Sequence, residues 1–125
     1  MPRLLLDTHV LVWFPTGDPR LSARARAAIE DGASDLFVSA VTAFELTDLQ
    51  RRGRVALQET IEEIAGEMAL SIIDLPADTW RIAAGLADIH GDPIDRMLVG
   101  HAIAGGFTVV TSDSAIRRYP VETLW

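Results

Sequence analysis

The chain has 125 residues, 49% of them hydrophobic and 23% charged, with a formal net charge of -7; this excludes a disordered polypeptide and supplies enough chain to bury a core without staples, so a single domain over residues 1–125 is predicted. Cysteine is absent, which excludes disulfides, thiolate metal sites and a cysteine nucleophile and suits a reducing cytoplasm; no basic leader precedes an apolar segment, and no apolar run approaches the roughly 18 residues of a membrane span. All 11 basic residues are arginine, which removes mechanisms that need a lysine, and the acidic balance disfavours a nucleic-acid binder unless its acids are gathered in one pocket and neutralised by cations.

Leu4 to Leu6 form a continuous apolar run, as in a strand covered on both faces of a parallel sheet, and it stops at Asp7. Ligands of open α/β sheets bind beyond the carboxyl ends of the strands, so Asp7 stands where chemistry is expected; it is equally placed to cap the helix that starts near Thr8. Thr8 to Phe14 is apolar and is broken by Pro15-Thr16-Gly17-Asp18-Pro19. A surface helix follows from Leu21-Ser22 to the stop at Gly32, with Ser22 as N-cap.

Leu36-Phe37-Val38 reads as a second strand ending at Ser39. The next helix, Ala40 to Arg52, spaces Val41, Phe44 and Leu49 as an apolar face, carries Glu45, and stops at Gly53. Leu57 to Met68 reads as an amphipathic helix with Ile61, Ile64, Ala65 and Met68 on one stripe and a solvated acidic face. Ser71 to Leu75 is a third strand, and Pro76 opens a helix through Trp80, Ala83, Ala84 and Ala87. His90-Gly91-Asp92-Pro93-Ile94-Asp95-Arg96 is a turn feeding a helix that runs to about Gly105. Phe107 to Thr111 is a fourth strand stopped by Ser112-Asp113, and Val121 to Leu124 adds a short last one. This alternation predicts an α/β fold, a central and mainly parallel sheet of four to five strands with helices on both faces in three layers.

Four acids then fall just after strands or early in the following helices: Asp7, Glu45, Asp95 and Asp113. Asp92 fits the N-cap and Pro93 the first helical position, which makes Asp95 the third residue, where the helix dipole should keep it ionised. Asp113 could instead cap a short helix over Ser114 to Arg118, and Glu45 could be an ordinary surface glutamate. Acids that share a pocket raise one another's pKa, and such a cluster persists at neutral pH if cations are bound. Oxygen donors without imidazole or thiolate favour Mg²⁺, with Mn²⁺ as a substitute, and the chemistry implied is phosphodiester hydrolysis. His9, His90 and His101 are spaced too widely for a local zinc motif, and a hydrogen-bonding or packing role is expected of each.

These residues resemble the PIN domain, and within it the VapC toxins of bacterial toxin–antitoxin pairs, over essentially the whole chain. Leu4-Leu5-Leu6-Asp7-Thr8-His9 with Trp13 is similar to the family's first motif and Ser39-Ala40-Val41-Thr42-Ala43-Phe44-Glu45-Leu46 with Gly53 to its second. His90 to Leu98 resembles the third, Val110-Thr111-Ser112-Asp113 the fourth, and Tyr119 to Trp125 the ending of one VapC subgroup. The resemblance implies a three-layer PIN-like fold and a Mg²⁺-dependent endoribonuclease that cuts structured RNA, such as transfer or ribosomal RNA, and stops translation. It implies Asp7 and Asp95 as leading metal ligands, Glu45 and Asp113 completing the pocket or ordering water, and Thr111 and Ser112 as supporting hydroxyls. It further implies a homodimer neutralised by a VapB-type antitoxin whose tail lies across the active-site groove.

Two positions depart from the family pattern: Leu49 stands where many relatives have lysine, and His101 where many have glutamine. Arg51, Arg52 and Arg54 are the cations placed to contact phosphate instead, since the arginine fork donates two hydrogen bonds; they equally suit a solvated helix end. An aspartyl-phosphate enzyme is the first rival, but a phosphatase of that kind would have a second aspartate where His9 stands, and both such classes use lysine. A PIN-like module that binds RNA or protein without cleaving is the second, and an intact set of four acids argues against it.

Overall fold

The computed structural model describes residues 2–125. Five strands, β1 (Arg3–Leu6), β2 (Asp35–Ser39), β3 (Ser71–Ile73), β4 (Thr108–Val110) and β5 (Thr123–Leu124), form one sheet in the order β3-β2-β1-β4-β5, and every neighbouring pair is parallel. The unbroken apolar run of β1 is at the centre, as its composition predicts, and Leu4, Leu5 and Leu6 are each at most 1% exposed.

Side chains alternate across a strand, so β1 serves two cores. Leu4 and Leu6 pack with Val10 and Leu11 of helix α1 (Thr8–Thr16), Ala25 and Ile29 of α2 (Ala23–Glu30), Leu46 of α3 (Ala40–Arg51) and Ile64 of α4 (Ile61–Met68). Leu5 packs on the opposite side with Leu98, Val99 and Ala102 of α6 (Pro93–Gly105), together with Val109 and Tyr119. Helix α5 (Thr79–Gly85) lies against α6, close enough that a Cβ added at Gly100 would stand 3.3 Å from the backbone of Thr79 and Ala83. The result is the predicted three-layer α/β/α arrangement.

Most helices start where their caps are. Ser22 accepts from the amide of Ala25, Ser39 from that of Val41, and Asp92 from that of Ile94, with Pro93 at the first helical position. Several boundaries differ from the sequence reading for identifiable reasons. Helix α4 begins at Ile61 and not at Leu57, because Thr60 and Glu63 form a reciprocal capping box. The preceding segment is held outside the helix by the Gln50 amide, which donates to the carbonyls of Leu57 (3.1 Å) and Glu59 (2.6 Å). Helix α1 continues through Pro15 and stops at Gly17, whose φ of 65° is the left-handed turn that ends it. Helix α5 starts at Thr79, after a turn closed by Pro76, and ends before Ala87; β3 stops at Ile73. Phe44, read as part of the inward face of α3, is 63% exposed, and Thr42 and Leu46 face the core instead.

Because all five strands run the same way, Asp7 after β1, Ser39 at the end of β2 and Thr111 to Asp113 after β4 reach the same edge of the sheet.

Candidate active site

Asp7 holds its position from two sides. It is the N-cap of α1, with Oδ1 accepting from the Thr8 amide at 2.7 Å, while Oδ2 accepts from the Thr111 hydroxyl at 2.6 Å. Capping and presentation to the pocket are therefore the same conformation. Thr8 donates its own hydroxyl to Glu45, which projects from the middle of α3. Asp95 enters from the first turn of α6, two residues after Pro93. Carboxylate oxygens of Asp7, Glu45 and Asp95, one from each, all lie within 4.8 Å of one another.

Asp113 closes the same cavity, which has a volume of about 200 Å³ and is lined by Asp7, His9, Glu45, Leu49, Asp92, Asp95 and Asp113. All four predicted acids thus meet at one rim. Asp113 also caps the short 3-10 turn Ile116–Arg118, its Oδ1 accepting from the amides of Ala115 (2.8 Å) and Ile116 (3.1 Å). A larger groove of about 640 Å³, walled by Trp13, Arg20, Arg54 and Glu59, adjoins the acidic cavity and shares His9 with it. The two differ in charge: Arg20 and Arg54 stand on the wall of the larger groove, whereas the smaller cavity gathers five carboxylates, Asp7, Glu45, Asp92, Asp95 and Asp113, and no arginine.

Burial and mutual repulsion set the electrostatics. Burial raises the Asp7 carboxyl above its ordinary value in spite of the hydrogen bonds from Thr111 and Thr8. Glu45 is raised by burial and by the charges of Asp7 and Asp92, against the hydrogen bond from Thr8. Asp95 is pushed up to about 7, first by burial and then by Asp7, Asp92 and Glu45. This corrects the expectation that the helix dipole keeps Asp95 ionised: desolvation and the surrounding acids outweigh the α6 terminus. Asp113 goes the other way; burial pulls it up, but the hydrogen bonds from His90, Ile116 and Ala115 leave it below the usual carboxylate range.

This donor set suits a hard divalent cation: three carboxylates, no thiolate, and elevated pKa values that a bound positive charge would reverse. Thr111, fully buried, supports Asp7 and accepts the Asp113 amide at 3.0 Å, whereas Ser112 is exposed and makes no side-chain hydrogen bond among the described residues. Arg51 and Arg52 both pair with Asp48, and of the arginine trio only Arg54 lines the groove.

His101 fulfils its expected role, buried with Nδ1 2.8 Å from the Ser39 hydroxyl. His90 exceeds its expected role. Its Nε2 lies 3.0 Å from Asp113 Oδ2 and 3.0 Å from Asp95 Oδ2. Burial lowers its pKa, but the hydrogen bond to Asp113 and the charges of Asp95, Asp113 and Asp92 outweigh it and leave the ring above its ordinary value. Sequence reasoning missed this contact because His90 is 23 residues from Asp113; its nearness to Asp92 and Asp95 was the available signal. The Thr8 hydroxyl was missed for the same reason, its partner lying 37 residues away.

With a parallel α/β sheet and four acids gathered at its carboxyl edge, the chain belongs to the PIN-domain family, whose model matches residues 4–122. Within that family the chain is 33% identical, over a 131-residue alignment covering 100% of both sequences, to Ribonuclease VapC22 of Mycobacterium tuberculosis. Among solved structures it shares its fold with VapBC from Salmonella typhimurium in a DNA-bound crystal (20% identity, TM-score 0.70, 99% of this chain and 98% of that one). VapBC2 from Rickettsia felis, bound to a DNA fragment from its promoter, is similar as well (19% identity, TM-score 0.69, 98% and 97% covered). So is FitAcB from Neisseria gonorrhoeae (23% identity, TM-score 0.60, 98% and 96% covered).

Proposed function

We propose that the chain is the toxin of a VapBC-type pair, an endoribonuclease that hydrolyses phosphodiester bonds in structured RNA such as transfer or ribosomal RNA and thereby stops translation. The convergence of Asp7, Glu45 and Asp95 within 4.8 Å, in a PIN-domain chain, carries this reading. Mg²⁺ is the proposed cofactor, with Mn²⁺ as a substitute; when bound, the cation activates water and offsets charge on the phosphoryl oxygens.

The roles of the protein groups follow from how each is held. Asp7, fixed by Thr8 and Thr111, and Asp95, fixed by the first turn of α6, are the leading ligands. Glu45 completes the trio and is oriented by the Thr8 hydroxyl. Asp113 closes the pocket beside them and orders its rim. Thr111 acts through Asp7, and the exposed Ser112 hydroxyl is left to face substrate or solvent. Arg54, on the wall of the adjoining groove, is the leading candidate to receive an RNA phosphate, and Arg20, Arg51 and Arg52 are reachable if Arg20 releases Asp18 and the other two release Asp48. Water is the nucleophile, and no side chain forms a covalent intermediate. The VapB-type antitoxin is proposed to lay its tail in the groove that shares His9 with the cavity. A homodimer is the proposed assembly, in keeping with the exposure of Phe44 and Trp80.

Incubation of the purified protein with total RNA tests this reading. Cleavage is expected with Mg²⁺ or Mn²⁺, and none is expected with a chelator or in Asp7→Asn. Equal cleavage by Asp7→Asn, or cleavage that survives the chelator, would remove the basis of the proposal. Sequencing of the RNA ends produced on brief induction then identifies the target.

A further inference from the structure

We propose that His9 is the stacking platform for an unpaired nucleobase of the RNA, the base of a nucleotide whose phosphate lies over the neighbouring acids, so that the cut falls in a single-stranded segment. The inference rests on the reading that the chain cleaves RNA at Asp7, Glu45 and Asp95. His9 is the one residue, among those described, that lines both the acidic cavity and the adjoining groove of about 640 Å³. It therefore stands at the step between a phosphate and whatever that phosphate carries.

Its place follows from the period of α1. Thr8, Val10 and Leu11 turn into the core, while His9, Val12, Trp13 and Thr16, three and four positions apart, form a second stripe along the wall of the groove. The exposed His9 ring lies on Trp13, with centroids 5.3 Å apart and planes tilted by 33°. Trp13 is itself fixed from other directions: Trp125 meets it in a T-shaped contact at 6.0 Å, and the Arg20 guanidinium lies 4.8 Å from its ring centroid. Asp18 pins that guanidinium by accepting from Nε at 3.1 Å and from Nη2 at 2.7 Å. Trp13 is thus the backing, and His9 is the outer ring of a stack assembled before any ligand arrives.

The surroundings of the ring select a nucleotide. On one side are the acids read as holding a cation for a phosphoryl group; on the other is a groove wall with Arg54, which makes no salt bridge among the described residues. A strand of RNA supplies a flat π-face beside one phosphate and a second phosphate further along, which is the pairing that an aromatic platform and a basic wall accommodate. A polypeptide tail can fill the groove but offers no such fixed sequence of ring and anion. The bases of an A-form duplex are stacked on one another, whereas those of loops and bulges can be splayed onto an aromatic side chain. Since every base has a π-face, His9 supplies affinity and register more than sequence preference.

Cleavage kinetics on total RNA in Mg²⁺, with nuclear magnetic resonance of the His9 ring, test the proposal. His9→Ala should lower kcat/KM by about 5- to 150-fold, the range for losing one base stack. His9→Phe, which keeps a π-face and no imidazole nitrogen, should restore most of the loss, and Mn²⁺ affinity should be the same in all three proteins. In the non-cleaving Asp7→Asn variant, an unstructured RNA oligomer should move the His9 ring protons upfield, and the cut ends made by the wild type should map to unpaired positions. Unchanged kcat/KM in a folded His9→Ala, no rescue by His9→Phe, a parallel loss of Mn²⁺ affinity, unmoved ring signals or cuts within duplex would each overturn the platform and leave the groove to the antitoxin tail. A wild type that cleaves no RNA in Mg²⁺ would instead refute the endoribonuclease reading on which the platform stands.

Discussion

Thr111 carries no charge, yet it fixes the most buried acid of the site. Its hydroxyl donates to Asp7 Oδ2 and accepts from the Asp113 amide, joining β1 and β4 at the rim. Thr111→Val keeps the volume and removes the donor, so Asp7 should lose its orientation and Mn²⁺ affinity should fall roughly 10- to 100-fold; a titration that shows unchanged affinity would contradict this role. Asp95 offers a test with a defined sign. The unfolded chain releases this proton near 3.8 and the native protein only near about 7, so in the absence of metal, stability should decline as pH rises through that window. Asp95→Asn removes the penalty. At pH 8 the metal-free variant should be more stable than the wild type by on the order of 1–3 kcal/mol, with little difference at pH 4. Denaturant melts at the two pH values measure the effect, and a destabilised variant at pH 8 would refute it. Cleavage should be lost in the same variant, which separates activity from folding.

At the scale of elements, α5 and α6 form the platform on which the third motif rests. Arg96 uses its planar fork to bind carbonyls around the C-terminal end of α5, a geometry a lysine ammonium cannot reproduce. Arg96→Lys should therefore cost about 2–3 kcal/mol in chemical denaturation, and the loss should be accompanied by disorder of the ¹⁵N signals of His90. Retention of full stability would mean that the guanidinium contacts are incidental. Element types were legible in the sequence because β1, β2 and β4 are short apolar runs and the helices begin at serine, threonine or aspartate caps. Boundaries were less so. Leu57 was assigned to α4 because it continues an apolar stripe, whereas the Thr60–Glu63 capping box starts the helix at Ile61 and the Gln50 side chain, reaching from α3, holds the preceding segment outside it. Phe44 was placed inward by its period, but Thr42 and Leu46, two positions to either side, face the core, and that rotation of α3 is invisible until the sheet fixes which side is inward.

For the whole molecule, the charge of -7 becomes intelligible once part of it is concentrated at one rim. A cation that binds only the native state stabilises it by about 2.7 kcal/mol at a concentration one hundred times its Kd. Mg²⁺ should accordingly raise the melting temperature at pH 7.5 by several degrees, and Asp7→Asn should abolish the rise. Because Asp95 is still partly protonated near pH 7, cation binding should also release protons, detected as a heat that varies with the ionisation enthalpy of the buffer; the release should shrink at pH 8.5. A melting temperature indifferent to Mg²⁺ would argue against a native-state cation site.

The amino-acid sequence by itself determined the layered α/β architecture, the central place of β1 and the acids that follow the strands, because hydrophobic period and capping chemistry are local properties. Only the tertiary structure decided that those acids share one pocket, that Asp95 holds its proton to about 7, and that His90 reaches Asp113. The physical reason is that desolvation and through-space charge depend on neighbours brought together by the parallel crossovers, and no local pattern along the chain records them.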